Sequence, residues 1–287
     1  MGPSKFLLSI IFLLLWLSSA YSHEHAGTEL TFGLYANENP TFIVTKFRPI
    51  LNEIEHQFNL KFHRKVSIKT DIARTYQQGV DYLVSGRFDF ARFGAASYII
   101  AKSKQANIDV LAVENKKGKN YFTGVIFVSK KSDIQNILDL KNKSFAFGGL
   151  NSTIGRYLSQ QLLYENGIKA ETLSHYDYLG RHDDVAMAVS TGTYDAGAVK
   201  KSTYNSFLNK GHQLQIIHEF NVPTKPWLTS AGIDQEIKQQ LQEILLEYQN
   251  IESLSKLNKQ GFAAPSIDIY EKIEKAINNN EMFFFHE

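Results

Sequence analysis

The chain has 287 residues, 43% of them hydrophobic and 21% charged, so it can bury more than one core and is not a disordered segment. Its formal charge is only +2, with Lys and Arg scattered and no basic block, which argues against a nucleic-acid partner. It contains no cysteine, which excludes disulfides, thiolate metal sites, cysteine nucleophiles and a lipid-bearing N-terminal cysteine.

At the N-terminus, Lys5 precedes an apolar run from Phe6 to Leu17 broken only by Ser9, and Ser18, Ser19, Ala20, Tyr21 and Ser22 follow. A charged start, a short apolar centre and small residues at Ala20 and Ser22 read as a signal peptide over residues 1–22. The run is shorter than the roughly 20 residues a spanning helix needs. A soluble, exported chain beginning at His23 is therefore expected. His23-Glu24-His25 would then form a solvated tail rather than a metal site.

Leu30, Phe32 and Leu34 alternate with Thr31 and Gly33 and predict a strand, and a loop with Asn37, Asn39 and Pro40 follows. Ile43, Phe47, Ile50, Leu51, Ile54 and Phe58 recur at helical spacing. A strand near 66–70, a helix over about 75–85 stopped by Gly86, and a strand over 89–93 come next. The pattern then repeats: strands over 125–128 and 144–147, a helix over about 153–166 ended by Gly167, a helix over 183–190, a strand over 195–199, a helix over 202–209 and a strand over 214–219. From Asp234 onward the pattern is helical, with Ile237, Leu241, Ile244, Leu245 and Tyr248 on one face. Two βα sets predict an α/β protein of two lobes, each a doubly wound, mostly parallel sheet. No Gly/Ser or Pro linker separates the sets, so extended strands are expected to connect them. Ligands of such sheets sit at the carboxyl ends of the strands, here in a hinged cleft. The expected division is 23–120 plus 216–287 for lobe 1 and 121–215 for lobe 2.

Phe147-Gly148-Gly149-Leu150-Asn151-Ser152-Thr153-Ile154-Gly155 runs from strand through turn into helix. Asn151 or Ser152 suits the N-cap, and free N–H groups beside two hydroxyls make an anion site or a plain capped helix. It is not a P-loop, because Arg156-Tyr157 follows Gly155. Gly180-Arg181-His182-Asp183-Asp184 opens another helix. Its acids either cap the first turn or accept a hydrogen bond from a protonated oxyanion, and His182 can donate to a ligand oxygen. Tyr76 and Tyr121 each follow or precede a strand and can send a phenolic hydroxyl to an anion, although a lone tyrosine is more often a packing residue.

Tyr76 with Val80, Gly86-Arg87-Phe88-Asp89-Phe90-Ala91, Phe93-Gly94, Tyr98, Asp139-Leu140-Lys141, Phe145-Ala146-Phe147-Gly148, Asn151-Ser152-Thr153 with Gly155, His182-Asp183 and Asp195-Ala196-Gly197-Ala198-Val199 occur in a familiar order. Over Leu30 to Pro226 the chain resembles the phosphate/phosphite/phosphonate-binding proteins of ABC transporters. The resemblance implies a periplasmic two-lobed protein that captures a small phosphorus oxyanion for a membrane permease, as a monomer with no cofactor. It implies that Ser152 and Thr153 hold the phosphono oxygens, that Tyr76 and Tyr121 line the pocket, and that Asp183 beside His182 contacts the ligand. Three departures stand out: Ser152-Thr153-Ile154-Gly155 replaces Ser-Thr-Ser-Gly, Gly94-Ala95 replaces Gly-Pro, and Pro223-Thr224-Lys225-Pro226 replaces a loop with an acidic residue.

Lys225 either points to water or faces the cleft, where it would repel a ligand ammonium and favour an amine-free oxyanion; Arg181, Lys200 and Lys201 could add to the positive field. The same lobes could instead present a ligand to a receptor kinase. A secreted hydrolase is the weaker alternative, because Ser152 lies in no Gly-x-Ser-x-Gly elbow and His182 and Asp183 are adjacent in sequence.

Overall fold

The structure, a computed structural model, describes residues 27–35, 40–115, 118–266 and 268–285, with backbone alone for 40–42. The expected signal segment and its cleavage site lie outside the described residues, as do Asn37 and Asn39.

Strand β1 (Thr28–Tyr35) lies between β2 (Val66–Ala73) and β3 (Phe90–Arg92) and runs parallel to both. Helix α1 (Pro40–Phe62) joins β1 to β2. Its predicted apolar face is fully buried, from Ile43 and Phe47 through Ile50, Leu51, Ile54 and Phe58. Helix α2 (Tyr76–Val84) starts at an N-cap, Thr75, whose hydroxyl accepts from the Gln78 N–H. Helix α3 (Ala95–Lys104) and strand β4 (Asp109–Asn115) follow.

The chain then crosses into a second sheet through β5 (Tyr121–Ser129). Strand β6 (Ser144–Phe147) leads into a π turn (Thr153–Leu158) continuous with α4 (Ser159–Glu165). Strand β7 (His175–Tyr178), helix α5 (His182–Ser190), strand β8 (Ala196–Lys200), helix α6 (Lys201–Asn209) and strand β9 (Leu214–Pro223) complete this lobe. Strand β10 (Pro226–Thr229) returns to the first sheet, followed by α7 (Gln235–Leu246), α8 (Ile251–Lys256), β11 (Gly261–Ala263) and α9 (Asp268–Asn278). The strand orders are β11-β4-β10-β3-β1-β2 and β7-β6-β8-β5-β9.

The two lobes and their α/β class are as expected, but the sheets are mixed. Strand β10 is antiparallel to β3 and β4, β11 to β4, and β5 to β8 and β9. For β5 and β10 the cause is the crossing. A strand that enters a lobe from its neighbour runs against the βα strands already there, whereas β11 is added at the sheet edge by the C-terminal helices. The expected boundary at 215/216 falls inside β9, which pairs with β5 along its whole length from Leu214 to Pro223. The return crossing therefore lies at Thr224 and Lys225. It is stitched to the outgoing one by Thr224 N–H to Asn120 C=O at 2.8 Å and Glu114 N–H to Lys225 C=O at 3.3 Å.

Trp227, Phe32, Phe90 and Phe47 stack at the centre of the first core. The second is built on Phe145, Phe147 and Ile126. The C-terminal segment touches both lobes. Tyr270 of α9 packs edge-on against Tyr98 of α3, while the Asn280 amide donates to Gln160 at 2.7 Å and Phe283 packs on Phe147.

Candidate ligand-binding site

A cavity of about 350 Å³ lies between the carboxyl ends of the two sheets. One end is built from two helix starts that face each other. On the second lobe, the Ser152 hydroxyl accepts from the Gly155 N–H at 2.9 Å and caps the π turn. That turn sits hard against the strand before it: the Gly148 N–H donates to the Gly155 carbonyl at 2.7 Å. A Cβ on Gly155 would lie 2.6 Å from the Gly148 Cα, so the glycine serves close backbone approach. A π bulge at such a place frequently marks a functional site.

On the first lobe, α3 begins at Gly94 without a side-chain cap. Its first N–H groups are met by two hydroxyls. The Gly94 N–H donates to Tyr35 Oη at 2.6 Å, and the Ala96 N–H donates to Thr153 Oγ1 at 2.9 Å across the cleft. The Tyr76 ring packs against Tyr35, tilted by 37° with centroids 4.3 Å apart. Burial and the neighbouring Tyr35 raise the Tyr76 hydroxyl well above the ordinary phenol value, against a hydrogen bond with Ser152, so it remains a proton donor. Hydroxyls and N–H groups thus converge with no carboxylate among them, an arrangement suited to an anion.

Of the six residues singled out in the sequence, Tyr76, Ser152, Thr153, His182 and Asp183 line this cavity and Tyr121 does not. Tyr121 is 40% exposed, with the Lys119 ammonium over its ring. Successive residues of a strand face opposite ways, and it is Phe122 that turns to the cavity. The expectation that Tyr121 lines the pocket is corrected accordingly.

The His182 Nδ1 is enclosed without a hydrogen-bond partner. Burial, helped by Lys225 and Lys200 and opposed by Asp183, moves the ring from 6.5 down to about 4, so it is neutral at pH 7. Asp183 stands half-exposed at the rim, and its two oxygens accept from the Arg181 fork at 2.9 and 2.5 Å. Lys225 faces the cavity, and so does Lys200. Lys201 instead pairs with Glu219 at 2.5 Å on the surface.

The other end of the cavity was not legible in the sequence. Glu114, 1% exposed, accepts from Arg92 and pairs with Lys259 at 3.3 Å. Burial alone would raise its carboxyl, but Arg92 and Lys259 together outweigh burial and hold it at about 2. Residues 92 and 94 differ by two along an extended segment, a cue that both face the ligand side. Tyr35 carried a similar cue, the last position of β1 at its carboxyl end.

The family model for the periplasmic substrate-binding proteins of phosphonate ABC transporters matches residues 32–270. The chain belongs to this family. A probable ABC transporter phosphite-binding protein, PhnD1 of Prochlorococcus marinus, is 26% identical over 231 residues, 72% of this chain and 74% of that protein. The structure of PhnD1 from Prochlorococcus marinus in complex with methylphosphonate superposes with a TM-score of 0.72 at 22% identity, over 88% of this chain and 98% of that one. A binding component of an ABC phosphonate transporter from Pseudomonas aeruginosa gives a TM-score of 0.76 at 18% identity, over 90% and 88%. These likenesses support the two-lobed periplasmic-binding-protein fold.

In this member of the family Lys200 is part of the cavity wall. Burial, and then repulsion from Arg92 and Lys259, brings its ammonium from 10.5 down to about 8. An anion in the cavity favours the charged form, so capture above that pH takes up a proton. Affinity for methylphosphonate is expected to fall as pH rises past about 8, approaching about tenfold per pH unit. Calorimetric titrations from pH 7 to 9.5 on the chain and on Lys200→Gln check this. The slope must flatten in the variant, and equal slopes would remove Lys200 from the account.

Proposed function

We propose that the chain captures a small, amine-free phosphorus oxyanion (phosphate, phosphite or a simple phosphonate) and delivers it to an ABC permease. The observation that carries this is the pairing of two helix starts, at Gly94–Ala96 and at Ser152–Gly155, across one closed cleft. In this reading Ser152, Thr153, Tyr76 and Tyr35 surround the phosphono oxygens, and neutral His182 donates to one of them. Asp183 orients Arg181 at the rim and is available to accept from a P–OH. The positive Lys225 stands where the resemblance places an acidic partner for a ligand ammonium.

A binding role fits these residues better than hydrolysis. The Ser152 hydroxyl caps its own turn instead of facing a base, and Asp183 holds Arg181 rather than orienting His182. Among the described residues no helix is long and apolar enough to cross a membrane. Export with loss of residues 1–22, and action as a monomer, belong to the same proposal.

The test is calorimetric titration with phosphate, phosphite, methylphosphonate and aminoethylphosphonate. The amine-free ligands are expected to bind more tightly than aminoethylphosphonate, and the opposite order would remove Lys225 from the site. Charge-assisted hydrogen bonds contribute about 1.5–3 kcal/mol each, so Ser152→Ala with Thr153→Ala should weaken binding by at least about tenfold in a folded protein. Unchanged affinity in that double variant would move the site elsewhere.

A further inference from the structure

We propose that Arg92 is a specificity-determining residue of this cleft: its guanidinium, aimed by the buried Glu114 carboxylate, contacts the bound anion and favours a doubly charged tetrahedral ligand over a singly charged one of the same shape. This rests on the oxyanion reading above and adds a ligand contact and a positioning residue to that same cleft.

The first support is place. Arg92 ends β3, two positions before Gly94, where α3 begins, and it lines the cavity. In the strand order β3 stands beside β1, whose last residue is Tyr35, and is separated by β10 from β4, which carries Glu114. Arg92 therefore stands between the Tyr35–Gly94 bond and the Glu114 carboxylate. Its charge is felt on both sides of the cleft. Burial raises the Tyr35 hydroxyl, while bonds with Ser97 and Gly94, and then the Arg92 charge, work against it. On the other lobe it is the Arg92 charge that, after burial, most lowers the Lys200 ammonium.

The second support is the hold on the guanidinium. The Glu114 carboxylate accepts from Arg92 Nε and, at 3.0 Å, from Arg92 Nη2. Lys259 at 3.3 Å and the Trp227 indole N–H at 3.5 Å fix the carboxylate in turn. The guanidinium carbon stands 5.0 Å from the centre of the Phe47 ring. A planar fork locked to a carboxylate has little freedom left to lose when a ligand arrives. The fork occupies Nε and Nη2, and among the described residues Nη1 makes no hydrogen bond. Its hydrogens suit the oxygens of a tetrahedral anion.

The third support is the carboxylate itself. Glu114 is 1% exposed and sits in the wall of a cavity that takes an anion, where its charge repels the ligand. Burying an ion is costly unless it is paired and hydrogen-bonded. Aiming Arg92 is a role that offsets both penalties, because a fixed cation attracts a doubly charged ligand more strongly than a singly charged one.

Calorimetric titration of the full exported chain with methylphosphonate and methanesulfonate tests this, at a pH where the first ligand carries two charges and the second one. Both have a tetrahedral head and a methyl group. The intact chain is expected to bind methylphosphonate at least about tenfold more tightly, the contribution of one charge-assisted contact. Arg92→Met with Glu114→Gln replaces the buried ion pair by neutral groups and should shrink that preference at least about threefold. Arg92→Lys, which cannot form the fork, is the second variant should that one fail to fold. Glu114→Gln alone should also shrink the preference, and Glu114→Asp, which keeps the charge but shortens the reach, should do the same. A carboxylate acting only as a nearby negative charge would give the reverse in Glu114→Gln, a larger preference. A variant that is merely less stable loses sites for both ligands alike and leaves their ratio in place. Equal affinities in the intact chain, or a preference kept without Arg92, would overturn the role of Arg92 while leaving the oxyanion reading intact. An undiminished preference in Glu114→Gln and Glu114→Asp would remove Glu114 as its positioning residue. If the intact chain binds none of methylphosphonate, phosphite and phosphate, the oxyanion reading falls and this assignment with it.

Discussion

Gly155→Ala is expected to lower the melting temperature by about 5–15 °C and to weaken methylphosphonate binding by at least about tenfold. The added Cβ would stand 2.6 Å from the Gly148 Cα and 2.8 Å from its nitrogen. Both obstacles are backbone, so no side chain can swing aside. Overpacking of this kind costs about 1–3 kcal/mol. The π turn must shift, and the 2.7 Å bond from the Gly148 N–H to the Gly155 carbonyl goes with it, for about a further 0.5–1.5 kcal/mol. The same displacement moves Ser152 and Thr153, and through Thr153 the contact with the Ala96 N–H across the cleft. Gly232→Ala is the control, since its Cβ would meet nothing within 4 Å. Thermal melting and calorimetry on both variants decide it. A Gly155→Ala protein with wild-type melting and wild-type affinity would mean that the π turn does not place the anchor.

Arg92→Met is expected to destabilise the chain by about 3–5 kcal/mol, because it breaks a buried ion pair and leaves the other charge behind. Glu114 is 1% exposed and would keep the Lys259 ammonium at 3.3 Å and the Trp227 indole N–H at 3.5 Å, with one cation fewer beside it. In the intact chain its carboxyl is held at about 2, below the ordinary 4.5. It therefore contributes stability above pH 4.5 that is lost as pH falls through about 2. Without Arg92 the burial cost that already opposes ionisation is less well countered, the carboxyl rises, and acid destabilisation begins at a higher pH. Urea denaturation at several pH values measures both effects. Adding Glu114→Gln to Arg92→Met should recover part of the loss, since the uncompensated charge is then gone. A double variant no more stable than Arg92→Met would show that the loss arises from packing instead.

Local patterns carried much of the fold into the sequence. The predicted apolar face of α1 from Ile43 to Phe58 is buried residue for residue, and Gly86 and Gly167 do mark element ends with positive φ. What the sequence hid was pairing at a distance. Strands β10 and β11 are four and three residues long, too short for a periodicity, and exist because Trp227 meets Ala112 and Phe262 meets Glu114. The expected boundary at 215/216 falls inside β9 for the same reason, since the register of β9 on β5 is set by strands almost a hundred residues apart.

Ser152 and Thr153, which line the cavity, could be singled out because they lie in one continuous stretch, where a strand, a glycine turn and a cap announce a helix start. Tyr121 failed by one position, the shift that turns a strand residue to the opposite face. The cluster around Glu114 left no motif at all. Arg92, Glu114, Lys225 and Lys259 are scattered over more than 160 positions and become neighbours only through the strand order.

That scatter has an energetic consequence. Arg92 and Lys259 belong to one lobe and Lys200 to the other, and their repulsion is part of what depresses the Lys200 ammonium. Like charges roughly 10 Å apart repel by about 1–2 kcal/mol at an effective dielectric near 20. An anion held between them would supply a counter-charge that both lobes share, so the repulsion it relieves adds to the strength with which it is held.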